Sequence, residues 1–205
     1  MLFRSNKMDQ ILELDKSLFI YLNSLGSIEY DPFWLTITNK FSHIPLYIFL
    51  LYLLIQKSLK INESKKKIFL LLLVRIFSIG FLILISDQLS NFFKNNFERL
   101  RPCHNLDIVD QIRIVKESCG GLFGFFSAHA SNSFVVATFF YLFFSSKNKL
   151  SKLLFMWAAI IAYSRIYVGV HYPLDIFFGS LLGFMITFFF YRKILISSEN
   201  IILRL

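Results

Sequence analysis

Long apolar runs alternate with short polar ones along this chain, and the apolar runs have the length of helices. Near-continuous apolar stretches cover about 41–56, 68–87, 130–145, 153–170 and 173–191. A bilayer core takes roughly 20 mostly apolar helical residues per crossing, so each stretch is expected to span. The first is the most polar at its outer half, with Thr36, Asn39, Lys40, Ser42, His43 and Pro45. It is expected to begin near Asp31-Pro32, where proline suits a first helical turn. Residues 8–25 read differently. Ile11, Leu12, Leu14, Leu18, Phe19 and Leu22 recur at helical spacing, broken by Asp9, Glu13, Asp15 and Lys16. That spacing predicts an amphipathic helix lying on the membrane interface, with a short sixth span as the alternative. The expected fold is therefore all-α, an integral membrane helical bundle of about five transmembrane helices, one domain over residues 1–205.

Composition supports this pattern. Of the 205 residues, 56% are hydrophobic, and 26 phenylalanines suit lipid-facing helix surfaces. Mean hydropathy is +0.58, unusually high for a water-soluble domain. The net charge of +9 would fit a nucleic-acid partner if the cations covered one soluble face. Instead they cluster between apolar stretches, at Lys57, Lys60, Lys65, Lys66 and Lys67, at Lys147, Lys149 and Lys152, and at Arg192-Lys193. This is the signature of membrane topology, so those loops are expected to be cytoplasmic and no nucleic-acid partner is expected. Met1 to Ser27 lacks a small-residue cleavage site and does not read as a signal peptide. Gly179 and Gly183 have the small-xxx-small spacing of close helix packing.

With that orientation, three polar clusters within residues 94–175 fall on the opposite, external side. They are Lys94-NNFERL-Arg101-Pro102, Phe126-Ser127-Ala128-His129, and Ser164-Arg165-IYVGV-His171-YPL-Asp175. Ionisable residues at the ends of apolar segments are costly and mark functional sites. Lys94, Arg101 and Arg165 supply fixed cations, two of them planar forks suited to phosphate oxygens. His171 and Asp175 are four apart, so on a helical turn the carboxylate can fix the imidazole tautomer. His129 follows Ser127 at the head of a helix, where exposed N–H groups favour an anion. Two histidines on one side suit phosphoryl transfer, one attacking phosphorus and the other protonating the leaving oxygen. No Walker loop, HExxH or paired-carboxylate site is present, so no metal and no cofactor is expected.

Other residues carry weaker expectations. Asp87, Asn91 and Lys94 share a helix face and suggest a supporting hydrogen-bond chain. Arg75, inside the second span, is expected to snorkel to the cytoplasmic interface. Tyr163, Tyr167 and Tyr172 read as interface aromatics, and His43 and His104 receive no role. Cys103 and Cys119 lie in the external loop. A disulfide there would stabilise by roughly 3 kcal/mol in the chain-entropy model, if the compartment is oxidising. Two unpaired thiols are the alternative. Gly120, Gly121 and Gly124 give a bendable approach to Ser127.

The three clusters, in order, resemble the signature of the type-2 phosphatidic acid phosphatase (PAP2) superfamily: Lys-x6-Arg-Pro, Pro-Ser-Gly-His, Ser-Arg-x5-His-x3-Asp. The first and third match fully. The second has Phe126 for proline and Ala128 for glycine, while Ser127 and His129 remain. The resemblance implies that His171 is the nucleophile, passing through a phosphohistidine, that Asp175 orients it, and that His129 is the general acid and later base. Lys94, Arg101, Ser127, Ala128 and Arg165 would bind the phosphate. It also implies a bacterial inner-membrane lipid phosphatase with an external site and membrane lipids as its surroundings. The expected substrate is undecaprenyl diphosphate, hydrolysed to undecaprenyl phosphate. Phosphatidylglycerophosphate and lipid A are the alternatives. A rival of another class is a non-catalytic lipid-phosphate binder, which would be expected to lose His171 or His129. Vanadate-dependent oxidation, which shares the motifs, is expected of soluble proteins. Oligomeric state is not legible.

Overall fold

The structure, a computed structural model, describes residues 2–144 and 149–204. Lys147 of the second basic loop falls outside the described residues. Helix α1 (Leu2–Ser24) is followed by α2 (Asp31–Thr38), α3 (Ile44–Leu59) and α4 (Lys65–Phe97). A loop then leads to α5 (Ala128–Phe144), α6 (Lys149–Tyr167), α7 (Pro173–Phe190), a π-helical turn at Tyr191–Leu195, and α8 (Ile196–Arg204). No strand occurs among the described residues; one isolated bridge joins Leu100 to Phe123.

Among the described residues, three helical segments are long and apolar enough to cross a membrane: Lys40–Leu59, Lys65–Phe97 and Pro173–Arg204. Helix α5 is apolar but only 17 residues long, and α6 carries Lys149, Lys152 and Arg165 within its 19 residues. These two are the most enclosed. Helix α5 packs against α4, α6 and α7 at the centre of the bundle. Its Val135, Val136, Phe139, Phe140 and Phe143 meet Leu50 and Leu54 of α3, Leu82 of α4, and Leu154 and Ala158 of α6.

Helix α4 shows the packing logic. Its buried stripe is Leu71, Arg75, Ser78, Leu82, Ser86 and Ser90, a spacing of three or four that marks one helical face. The opposite face exposes Phe69, Leu73, Ile76, Phe77 and Leu84. Serines and one arginine share the inward face with Leu71 and Leu82, and large apolar side chains cover the outward one, as expected where lipid rather than water is the surroundings. Ser86 Oγ meets Ser131 Oγ of α5 at 2.7 Å. On the other side of α5, a Cβ at Gly179 of α7 would lie 2.5 Å from the Ser127 carbonyl, and one at Gly183 would lie 2.1 Å from that of Ser131. The two glycines therefore seat α7 directly on the α5 backbone.

Arg75 does not snorkel. It is 7% exposed, and its Nε meets Glu199 Oε1 of α8 at 2.7 Å. Its Nη1 also donates to Ser58 Oγ of α3 at 2.6 Å, and its guanidinium sits 5.1 Å from the Phe143 ring centroid. A partner carboxylate inside the bundle makes burial cheaper than a reach to the interface, and α8 supplies one. Removing one member of such a pair strands the other charge. Glu199→Ala should therefore destabilise the protein by about 3 kcal/mol, read as a lower midpoint of thermal unfolding in detergent. An unchanged midpoint would show that α8 does not depend on this contact.

Candidate active site

Lys94 sits in the last turn of α4, and the helix ends when Glu98 adopts a left-handed conformation (φ 48°), its N–H returning to the Lys94 carbonyl. The chain then runs extended through Arg99, Leu100 and Arg101. There Arg101 N–H donates to the Leu122 carbonyl at 3.1 Å, and Gly124 N–H to the Arg99 carbonyl at 2.9 Å. This short pairing clamps the first motif to the approach to the second. Arg101 Nε donates to the Phe123 carbonyl at 3.2 Å, which aims the guanidinium. Behind Lys94, its ammonium meets Asn91 Oδ1 and Asn91 Nδ2 meets Asp87 Oδ2, each at 3.4 Å.

The second motif opens α5. Ser127 N–H donates to the Asp175 carbonyl at 3.0 Å, and Ser127 Oγ accepts from Ala130 N–H at 3.5 Å, a helix-capping geometry. Glu98 is the one non-glycine with positive φ among the described residues, so alanine at 128 meets no backbone penalty. Phe126 is absorbed by an aromatic cluster, its ring centroid 4.5 Å from Phe93, 4.4 Å from Phe125 and 5.7 Å from Phe178.

The third motif turns between α6 and α7. Gly169 takes φ +84°, and a Cβ there would lie 2.5 Å from the Arg113 carbonyl. Both facts require glycine at this crossing. His171 follows, 2% exposed, with its Nδ1 3.3 Å from Asp175 Oδ2. The same oxygen accepts from Tyr172 N–H at 3.0 Å, which caps α7. Gly124 packs on this pair; a Cβ there would be 3.0 Å from Asp175 Oδ2 and 3.5 Å from His171 Nδ1. Tyr167 and Tyr172 are 3% and 2% exposed, so they are buried rather than interfacial. Tyr167 O–H donates to Asp31 Oδ1 at 2.7 Å, and Tyr172 O–H accepts from Asn105 at 3.0 Å.

Lys94, Arg101 and Arg165 thus converge electrostatically on His171. Burial first, then these three cations, hold the His171 imidazole well below its ordinary pKa; a backbone hydrogen bond with Gly124 opposes the shift only partly. The imidazole is neutral at physiological pH, with Nδ1 turned toward Asp175. His129 lies within electrostatic reach of Arg165, His171, Lys116 and Lys94. Arg165 is 3% exposed and donates from Nη1 to Thr38 Oγ1, while its Nε has no partner among the described residues. A buried, unmet guanidinium N–H in a cluster of cations is suited to an oxyanion.

Several participants leave no mark in the sequence pattern. Thr38 reaches Arg165 from 127 residues away. Lys116 comes from the loop between α4 and α5, and burial, Arg165 and Arg101 lower its pKa. That loop is fixed by Asn23, which accepts from Arg113 N–H at 2.7 Å and donates to its carbonyl at 3.1 Å, and by Arg113 Nη2, which donates to both Asp31 carboxylate oxygens at 2.9 Å. Arg99, two residues before Arg101, binds both Asp15 and Asp175; a spare cation inside the first motif was its only available signal. Cys103 and Cys119 are joined, their Cα atoms 6.3 Å apart. With His104 they form a compact group, but bridged sulfurs are not thiolate ligands.

If the guanidinium fork of Arg165 is what grips the oxyanion, Arg165→Lys should weaken orthovanadate binding at least tenfold, about 1.4 kcal/mol. Competition calorimetry would check it. Equal affinity would show that charge alone suffices.

The PAP2 superfamily profile matches residues 75–197. The chain is 33% identical to the lipid A 4'-phosphatase of Porphyromonas gingivalis over 94% of its own length and 78% of that protein. It is 34% identical to the lipid A 4'-phosphatase of Bacteroides thetaiotaomicron, over 83% of this chain and 72% of that one. Among solved structures, Aquifex aeolicus LpxE superposes with a TM-score of 0.56 at 25% identity, covering 94% of this chain and 96% of that one. The PAP2-type phosphatidylglycerolphosphate phosphatase of Bacillus subtilis gives a TM-score of 0.59 at 22% identity, covering 90% and 88%, and so shares the fold. The motifs, the fold and these likenesses agree: this chain belongs to the PAP2 superfamily and is a multi-pass bacterial membrane lipid phosphatase.

Proposed function

We propose that the protein removes a phosphate from lipid A, and that His171, His129 and Asp175 carry the reaction. The observation behind the chemistry is the convergence of Lys94, Arg101 and Arg165 on a buried, neutral His171 backed by Asp175. His171 attacks phosphorus through the nitrogen turned away from Asp175, and the ester P–O bond breaks as His129 protonates the leaving oxygen. His129 then deprotonates a water, which attacks the phosphohistidine; the P–N bond breaks and phosphate departs. Charge on the three equatorial oxygens is met by Lys94, Arg101, Arg165, the Ser127 hydroxyl and the Ala128 N–H. No step of this scheme calls for a metal.

Support for lipid A over undecaprenyl diphosphate is the likeness to two lipid A 4'-phosphatases aligned over most of this chain. Support for an external site is charge: Lys57, Lys60 and Lys65–Lys67 lie at the end of the bundle opposite Lys94, Arg101 and His171. The inner membrane follows from the same reading.

The test is phosphate release by the purified protein in detergent with excess chelator, comparing lipid A, undecaprenyl diphosphate and phosphatidylglycerophosphate. Release should be fastest from lipid A, and His171→Ala should lower it about 10³-fold or more. Preference for undecaprenyl diphosphate would overturn the substrate, and near-normal turnover by His171→Ala would overturn the phosphohistidine.

A further inference from the structure

Asp175 holds His171 with one carboxylate oxygen and is itself held by the other. Its Oδ1 lies 2.9 Å from Arg99 Nη1, and Arg99 Nη2 lies 2.5 Å from Asp15 Oδ2 in α1. The second Asp15 oxygen accepts from Leu174 N–H at 2.9 Å, in the first turn of α7. Asp175 is fully buried and Asp15 is 5% exposed. Arg99 also lies over the Tyr172 ring, 4.1 Å from its centroid. The guanidinium therefore has a carboxylate on each side and an aromatic face beneath it, a geometry that fixes its plane.

Helix α1 is stitched to the same stretch at two further points. Phe19 packs edge-on against Tyr172 at 5.3 Å, and Asn23 Nδ2 donates to the carbonyls of Ile166 at 3.1 Å and Tyr167 at 3.0 Å. Asp15, Phe19 and Asn23 are spaced by four, so one face of α1 contacts the chain on both sides of His171. That face mixes the polar Asp15 and Asn23 with the buried Phe19. Other apolar side chains of the helix, Leu14 and Leu18, are exposed at 70% and 47%.

From this geometry we infer that Arg99 is a positioning residue for the phosphatase reaction. Asp15 locks Arg99, Arg99 orients the Asp175 carboxylate, and Asp175 sets the His171 ring, so docking of the N-terminal helix tunes the nucleophile. This rests on the assignment of His171 as nucleophile, but not on which lipid is the substrate.

The test uses p-nitrophenyl phosphate as a generic monoester and the full chain in detergent. Arg99→Gln should lower kcat about 10- to 100-fold, the scale seen for outer-shell partners of a working imidazole, with KM and orthovanadate affinity little changed. Arg99→Lys should recover part of that loss. Asp15→Asn keeps the acceptor for Leu174 N–H and removes the charge facing Arg99; it should lower kcat less, and add nothing on top of Arg99→Gln. It also serves if Arg99→Gln fails to fold. A kcat within about threefold of wild type for Arg99→Gln, or for Asp15→Asn where that variant stands in, would overturn the proposal. So would a loss shared equally by orthovanadate affinity, or full additivity of the two substitutions. Failure of the nucleophile assignment is read separately, from near-normal turnover by His171→Ala, and failure of the lipid A reading from the lipid panel.

Discussion

A carboxylate without exposed surface persists only when its lone pairs are met, and the Asp175 carboxylate meets that condition with three partners, while its backbone carbonyl takes a fourth. His171 and Tyr172 N–H share one oxygen, Arg99 takes the other, and the backbone carbonyl of the same residue accepts from Ser127. The four partners come from three pieces of the fold: the turn before α7, the extended segment after α4, and the head of α5. Leaving any one of them unmet would expose the bundle to the cost of a stranded charge. The fold around the site is in this sense organised by one residue's need for donors.

The same economy governs the rest of the interior. Serines share the buried stripe of α4 with Leu71 and Leu82, and glycines on α7 admit the backbone of α5, while further phenylalanines and leucines cover the outer faces. Without water outside, apolar burial gives little drive for helices to associate, so close contact and hydrogen bonds have to supply it. The cations at the site end and the Arg75–Glu199 pair at the other end follow the same rule: buried charge is tolerated where it meets another charge or awaits an anion.

Much of this was legible in the sequence. Helical apolar runs located the long helices, basic loops located one end of the bundle, and the three motifs located the cluster at the other. What was hidden is what depends on contact across distance. Arg75 reads as a snorkelling cation because its partner Glu199 lies 124 residues away. Asp15 breaks the apolar pattern of the first helix and so reads as solvated, yet it is buried against Arg99. Periodicity tells which residues share a face, but not which face will be turned inward when the partner is ionic. The second motif's departures were visible as letters. Their ease, with Ala128 free of positive φ and Phe126 taken into an aromatic cluster, required the backbone.

Helix α4 extends for 33 residues, about 50 Å at 1.5 Å per residue, against a hydrocarbon layer about 30 Å thick. Its surplus length works as a mast. With its basic end held among the head groups of one leaflet, Lys94 near the other tip stands at the depth where a lipid of the opposite leaflet presents its polar group. A substrate can then meet the cradle by drifting sideways in its own leaflet, with its chains still in the oil. Encounter becomes a two-dimensional search, in which the membrane itself concentrates and pre-aligns the phosphate before any side chain touches it.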